Sequence, residues 1–138
     1  MADELFVYTD GGARGNPGPA AIGVVIHGEN NKILSKISRK IGETTNNVAE
    51  YMAVIEALKW IKNSCQLSVV SCQFFLDSKL VVNQLNGIFK IKDANLRNLL
   101  VEIRQLEQEI GGNISYFLIP REKNWQADLL VNQALDGS

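Results

Sequence analysis

The segment YTDGGARGNPGPA, Tyr8 to Ala20, places an acidic residue at the end of an apolar run and follows it with four glycines and two prolines. The apolar residues Leu5 to Thr9 are typical of a short buried strand. Glycine and proline interrupt regular structure, so we expect a loop that turns the chain into a second strand, Ala20 to Gly28. Asp10 is therefore predicted to lie where the first strand reaches an edge of its sheet.

The remaining sequence alternates between strand-like and helix-like patterns. Asn30 and Asn31 are typical of a hairpin turn, which predicts a third strand antiparallel to the second. The further predicted elements are strand Lys32 to Ile41, a helix from Val48 to Asn63 capped by Asn47, strand Val69 to Asp77, a helix from Ser78 to about Gly87, a helix from Ala94 to Ile110, strand Asn113 to Ile119 and a helix from Asn124 to Leu135. This order predicts an α/β fold, with a mixed sheet and helices on its faces.

Composition limits the class of protein. The 138 residues are 46% hydrophobic, which predicts one globular domain over residues 1–138. No apolar run approaches the roughly 18 to 20 residues of a membrane span, and the acidic start of the chain is unlike a secretory signal, so we expect a cytoplasmic monomer without membrane contact. One histidine and two cysteines disfavour a zinc site. The net charge of −1 does not suggest nucleic acid, although the segment from Lys79 to Arg104 is locally basic.

Four carboxylates fall at the ends of predicted elements. Asp10 and Asp77 close two strands, whereas Glu50 and Asp128 lie in the first turns of two helices. If the two strands are parallel neighbours, their carboxyl ends share the edge of the sheet where ligands bind. A cluster of carboxylates suits Mg²⁺ or Mn²⁺, and two such ions serve displacement at phosphorus. The pattern therefore favours phosphodiester hydrolysis.

Each acid also has a purely structural interpretation. Asp10 before two glycines is typical of a turn, and Glu50 three residues after Asn47 is typical of a capping box. Asp77 next to a serine could cap a helix, and Asp128 could favour the positive end of a helix dipole. The joint placement of the four acids is what favours a site.

The motifs around these acids resemble the four motif blocks of the ribonuclease H type 1 family. They read, in order, YTDGGARGNPGPAAIGVVI, TTNNVAEYMAVIEAL, FLDSKLVVNQLNG and PREKNWQADLLVNQAL. The resemblance covers nearly the whole chain. It implies a five-stranded mixed sheet whose first three strands are antiparallel. It also implies endonucleolytic cleavage of the RNA strand of an RNA/DNA hybrid, with two Mg²⁺ or Mn²⁺ ions and with 3′-hydroxyl and 5′-phosphate ends.

The resemblance also assigns residues. Asp10, Glu50, Asp77 and Asp128 would be the metal ligands, and Arg121 would contact the scissile phosphate. The residues implied to contact nucleic acid are Gly11, Gly12, Ala13, Asn16, Thr45, Asn46, Ser78, Lys79, Gln84 and Arg121. Of these, the glycine backbone would lie in the minor groove of the hybrid, where 2′-hydroxyls distinguish RNA from DNA.

Two departures from the family separate this chain from many members. The only histidine is His27, inside the second strand, so no histidine can fill the role of the family's loop histidine. The loop reads IPREKN instead, which resembles a subgroup with an arginine nearby, and this makes Arg121 the candidate for contacting the scissile phosphate. The segment NGIFKIKDANLRNL lacks the basic, tryptophan-containing insert, although Lys79, Lys90, Lys92 and Arg97 could substitute weakly. We therefore expect weak, salt-sensitive binding of hybrid.

Three functional alternatives follow from the sequence. The leading one is an active ribonuclease H, with double-stranded RNA as a second candidate substrate. Another is a catalytically weak or inactive module that binds hybrid or double-stranded RNA. A two-metal enzyme acting on DNA is disfavoured by the TNN block and the glycine loop. Trp125, beside the last acid, could stack on a sugar or base, but we expect it to be a hydrophobic anchor for the final helix.

Overall fold

The computed structural model describes residues 2–64 and 68–137, which form a five-stranded mixed sheet with helices on both faces. The strands are β1 (Ala2–Ala13), β2 (Gly18–His27), β3 (Ile33–Thr44), β4 (Ser68–Leu76) and β5 (Asn113–Leu118). The helices are α1 (Asn46–Asn63), α2 (Lys79–Leu85), α3 (Ala94–Ile110) and α4 (Trp125–Asp136), with 3₁₀ turns at Glu29–Asn31 and Arg121–Asn124. The predicted order of elements and the five-stranded sheet are confirmed.

The strand order β3-β2-β1-β4-β5 puts β1 at the centre of the sheet. β1 pairs antiparallel with β2, and β2 pairs antiparallel with β3. β1 and β4 are parallel neighbours, as are β4 and β5. The ladder between β1 and β4 ends with Tyr8 opposite Phe75, so Asp10 and Asp77, each two residues further on, lie close together at one edge, as expected.

The helices form two unequal layers. α1 packs on β1, β2 and α3, and the main core of buried residues, including Val7, Tyr51 and Phe74, lies on this side. α4 packs on β1, β2 and β3. Gly11 approaches the backbone of α1, whereas its neighbour Gly12 approaches Val131 of α4. Because neighbouring residues of a strand point to opposite faces, α1 and α4 lie on opposite faces of the sheet.

β1 is longer than predicted. It continues through both glycines, because Gly11 pairs with Ile22 and Ala13 pairs with Ala20 in the ladder with β2. The interpretation of Asp10 as the residue that ends the strand and starts a turn is therefore wrong. The loop is confined to the residues between Ala13 and Gly18.

The start of α1 also differs from the prediction. Thr45 is the N-cap, since its hydroxyl oxygen accepts a hydrogen bond from the Val48 N–H at 3.2 Å. The proposed cap at Asn47 and the capping box with Glu50 are wrong, because the Glu50 carboxylate accepts a hydrogen bond from the Gly11 N–H instead. Tertiary contact with β1 has replaced the local partner.

Three further expectations concern single side chains. Trp125 is 59% exposed and does not anchor α4, whose buried residues are Ala127 and Val131. Cys72 is buried and free, as expected for a structural cysteine, whereas Cys65 lies outside the described residues. Within residues 2–64 and 68–137, no helix is both long enough and apolar enough to cross a bilayer.

Gly11 and Gly12 have different structural demands. A Cβ atom at Gly11 would lie 2.2 Å from the carbonyl carbon of Ala49, a backbone atom that cannot move independently of α1. A Cβ atom at Gly12 would meet Val131 Cγ1 at 3.5 Å, which is ordinary van der Waals contact. Of these two glycines, only Gly11 is required by the packing of the fold.

We predict that Gly11→Ala lowers the free energy of unfolding by about 2–3 kcal/mol or more, because β1 and α1 must separate to admit the methyl group. Gly12→Ala is the matched control and should change the free energy by less than about 1 kcal/mol. Urea denaturation of both variants measures the difference. Equal losses in the two variants would contradict the assigned contact.

Candidate active site

A cleft of about 420 Å³ opens at the edge of the sheet where β1 and β4 end. Its walls include all four predicted acids, Asp10, Glu50, Asp77 and Asp128. Residues 11–13, Ser78 and two arginines, Arg14 and Arg121, also line it. The parallel pairing of β1 and β4 thus brings together residues that are far apart in the sequence.

Three of the acids form a tight group. Asp10 on β1, Glu50 on α1 and Asp77 just after β4 each offer a carboxylate oxygen, and these oxygens lie within 4.8 Å of one another. Asp128 lies on the first turn of α4 and lines the same cleft outside this group, with its Oδ2 accepting a hydrogen bond from Asn132 Nδ2 at 3.4 Å. The arrangement can hold a cation with oxygen ligands.

Glu50 is fixed by the close contact between β1 and α1. The Gly11 N–H donates to its Oε1, and Glu50 is only 6% exposed. Because glycine at position 11 allows this approach, the same contact that packs α1 on the sheet also aims Glu50 at Asp10.

Asp77 is held by Asn124, a residue that the sequence reasoning did not select. Asn124 is buried, and its Nδ2 donates to the Thr9 carbonyl at 2.9 Å and to Asp77 Oδ2 at 3.0 Å. Ser78, rather than Asp77, caps α2, since its hydroxyl oxygen accepts from the Val81 N–H. The position of Asn124 four residues before Asp128 in the last motif is the sequence signal that could have found it.

Burial and the repulsion between like charges disfavour the ionised form of these carboxylates. Burial, followed by the charges of Asp77 and Asp128, raises the pKa of Asp10 to about 7. Burial and the adjacent Asp10 charge also raise the pKa of Glu50 well above its ordinary value. Oxygen-only ligands favour Mg²⁺ or Mn²⁺, and a divalent ion would offset the repulsion. The residues therefore fit a divalent ion.

Two asparagines organise the rim of the cleft. The Ala13 N–H donates to Asn46 Oδ1 at 2.8 Å, and the Asn46 N–H donates to Asn16 Oδ1 at 2.9 Å. Both asparagines are exposed. Since the backbone uses the oxygen of each side-chain amide, the group that each can offer outward is its NH₂ donor.

Other predicted contact residues are not brought into the cleft. Thr45 caps α1, and Lys79 is exposed on the first turn of α2, next to Ser78. Gln84 is buried, with its Oε1 accepting from the Tyr51 hydroxyl at 2.7 Å, and it lines a separate groove beside α3. Gln84 lies six residues beyond Ser78, roughly 9 Å along the helix axis, which carries it away from the acids.

The cationic groups divide between the cleft and the scaffold. Arg121 lines the cleft, and so does Arg14, which was not predicted and which pairs with Asp136 at 2.6 Å. Two arginines of the basic segment form hydrogen bonds within the fold instead. Arg97 donates to the Lys92 carbonyl, and Arg104 donates to the Leu85 carbonyl and to Glu107. His27 faces another groove, on the α4 side of the sheet.

A mixed sheet with acidic residues gathered where β1 and β4 end is the arrangement of the ribonuclease H-like class of folds. The family description that matches the chain, over residues 8–134, is reverse transcriptase-like. A solved structure of LC11-RNase H1 from compost, in complex with an RNA/DNA hybrid, is 46% identical, with a TM-score of 0.91 and 96% coverage of each chain. RNase H1 from the archaeon Halobacterium salinarum is 36% identical over the full length of both chains, with a TM-score of 0.87.

This chain belongs to the ribonuclease H type 1 proteins of the reverse transcriptase-like family. The bifunctional protein Rv2228c of Mycobacterium tuberculosis is 37% identical over 98% of this chain. The matched region spans only 36% of the length of Rv2228c. A ribonuclease H fold can thus form part of a larger protein.

The raised pKa of Asp10 links stability to pH in the protein without metal. An acid whose pKa is about 7 when folded and 3.8 ordinarily stabilises the fold below about pH 4, and this contribution is lost as the pH rises to about 7. We predict that Asp10→Asn is more stable than the wild type by on the order of 2 kcal/mol at about pH 8, and that this advantage shrinks toward about pH 4. Urea denaturation in EDTA at both pH values measures it. A difference that does not vary with pH would contradict the prediction.

Asn124 gives a second test of the site. Asn124→Ala leaves the buried Thr9 carbonyl and Asp77 without their donor, so we predict a loss of about 1–3 kcal/mol in unfolding free energy. We also predict roughly tenfold or more weaker Mg²⁺ binding by calorimetry, since Asp77 is no longer oriented. Asn98→Ala, on the exposed surface of α3, is the control. Equal behaviour of the two variants would show that Asn124 does not position Asp77.

Proposed function

We propose that this chain hydrolyses the RNA strand of RNA/DNA hybrids as an endoribonuclease that depends on Mg²⁺ or Mn²⁺. The observation that carries the proposal is the Asp10, Glu50 and Asp77 group, with oxygens within 4.8 Å of one another in an open cleft. Carboxylates so close at an accessible edge are unfavourable unless a cation binds, which supports a metal-dependent reaction.

The chemistry follows from the ligand set. Asp10, Glu50, Asp77 and Asp128 would hold two ions, which supply the charge that activates water and stabilises the leaving oxygen in displacement at phosphorus. Loss of the O3′ leaving group gives a 3′-hydroxyl and a 5′-phosphate. Asn124 and the Gly11 N–H keep Asp77 and Glu50 in position. Arg121 is the cation proposed to contact the scissile phosphate, because it lines the cleft beside the acids.

Recognition of the RNA strand is proposed for the rim. The backbone of Gly12 and Ala13 carries no bulky side chain, and the amides of Asn16 and Asn46 can donate hydrogen bonds beside it. Such a surface suits the wide minor groove of a hybrid and its 2′-hydroxyls. The hybrid bound in the LC11-RNase H1 crystal supports this choice of substrate. Double-stranded RNA shares the 2′-hydroxyls and is the second candidate.

A binding module without activity is the alternative. It is favoured by the position of His27 outside the cleft and by the engagement of Arg97 and Arg104 in the scaffold. We also propose that the chain belongs to a subgroup of the ribonuclease H type 1 family that lacks the loop histidine and the basic insert, because its sequence contains neither. A cytoplasmic location, a monomeric state and a single domain over 1–138 remain predictions.

The deciding experiment compares matched RNA/DNA, RNA/RNA and DNA/DNA duplexes across Mg²⁺ and Mn²⁺ titrations. We expect 5′-phosphorylated RNA fragments from the hybrid and none after addition of EDTA. Asp10→Asn and Asp77→Asn should each lower cleavage by at least about a thousandfold while the fold persists, because each removes a metal ligand. Glu109→Gln, which removes a surface carboxylate paired with Lys62, is the control.

Two results would change the conclusion. Full activity of both aspartate variants would remove the proposed metal site. Binding of hybrid without any fragments in either metal would favour the binding module.

A further inference from the structure

A second groove, of about 520 Å³, shares the Arg121–Asn124 turn with the cleft. Arg121 lines the cleft, whereas Lys123, two residues later, lines this groove. The other groups on its walls include three aromatic rings, Phe6, Tyr8 and Trp125, and the side-chain amides of Asn31 and Gln126. No described carboxylate lines it, in contrast with the four that line the cleft. We call it the aromatic groove.

The aromatic groove continues into a row of rings across the sheet. Tyr8 stacks on Phe75 with ring centroids 4.9 Å apart, and Phe75 stacks on Phe117 at 5.8 Å. This row lies on the face of the sheet against which α4 packs. On that face, α4 packs mainly on β1, β2 and β3. Trp125 is 59% exposed and Phe117 is 45% exposed. Large aromatic rings left in contact with water in one area mark a binding surface.

The groove and the cleft are rigidly connected. Tyr8 and Asp10 are two residues apart on the same face of β1, roughly 7 Å along the strand. Asn124 ties the turn between the two sites to β1 through the Thr9 carbonyl and to the cleft through Asp77. Lys123 and Trp125 therefore lie directly beside the cleft, two and four residues after Arg121 in the chain.

We propose that the aromatic groove binds a single-stranded extension of the nucleic acid held in the cleft. This inference rests on the proposed function. Exposed rings that stack on bases, a cation for phosphate and amides for base edges are the groups that bind single strands without strong sequence preference. The lack of lining carboxylates and the shared turn with the cleft favour nucleic acid over a protein partner. The groove would extend the substrate class to hybrids that adjoin single-stranded segments.

The test measures binding by fluorescence anisotropy in EDTA, so that the readout does not depend on cleavage. A blunt hybrid is compared with the same hybrid carrying a single-stranded extension at the 5′ or 3′ end of either strand. We expect at least one extension to strengthen binding by the wild type. Trp125→Ala should weaken binding of that substrate roughly tenfold, because the stacking of one base is lost. It should leave the binding and cleavage of the blunt hybrid unchanged.

Three further variants make the result specific. Trp125→Phe should restore most of the affinity, because a ring remains for stacking. Leu129→Ala removes an exposed apolar residue one turn later on α4 that does not line the groove, and it should have no effect. Lys123→Ala should make the slope of log affinity against log salt concentration shallower by about one, because one phosphate contact is lost, and only for the extended substrate. Thermal denaturation checks that each variant is folded.

The proposal fails if no extension strengthens binding by the wild type, or if Trp125→Ala binds the extended and blunt hybrids as the wild type does. It also fails if Trp125→Ala alters only self-association in sedimentation, which would make the surface a protein contact. Absence of cleavage together with extension-dependent binding through Trp125 would overturn the proposed hydrolysis and leave the groove assignment standing.

Discussion

The hydrogen bond from the Gly11 N–H to the Glu50 carboxylate is the interaction on which both the fold and the site depend. It requires β1 and the start of α1 to approach until no Cβ fits at position 11. The same approach closes the core on that face and places Glu50 within reach of Asp10 and Asp77. The packing of α1 on β1 therefore also sets the positions of the acids, and a change in this packing would move Glu50.

The active-site cleft brings negatively charged carboxylates together, which is unfavourable, and the surrounding fold holds them in place. Asp10 and Glu50 are buried close to further acids, and burial raises the pKa of each. Buried like charges favour protonation or a bound cation. The scaffold resists collapse of the cluster because Asn124 and the Gly11 N–H hold two of its members through groups that are themselves fixed in the core. Such pre-organisation suits binding of a divalent ion.

The two faces of the sheet contribute differently. On one face, α1 and α3 enclose the main core. On the other, α4 covers only part of the sheet, contributes Asp128 to the cleft and leaves Trp125 exposed beside Tyr8. Asn124, at the junction, contacts the end of β1 and Asp77 together. One short turn therefore sets both the geometry of the acids and the edge of the aromatic groove.

The sequence by itself determined the order of elements, the limits of α3 and the convergence of Asp10 and Asp77, because hydrophobic periodicity and parallel pairing are regular. Local rules also suggested wrong roles. They gave Glu50 a partner three residues away, whereas its partner Gly11 is 39 residues distant, and they made Trp125 an anchor although it is exposed. Asn124 was missed because its partner Thr9 lies 115 residues away. Only the tertiary structure decided these roles, since contacts between distant segments depend on how closely β1, α1 and the last turn pack, which no local pattern records.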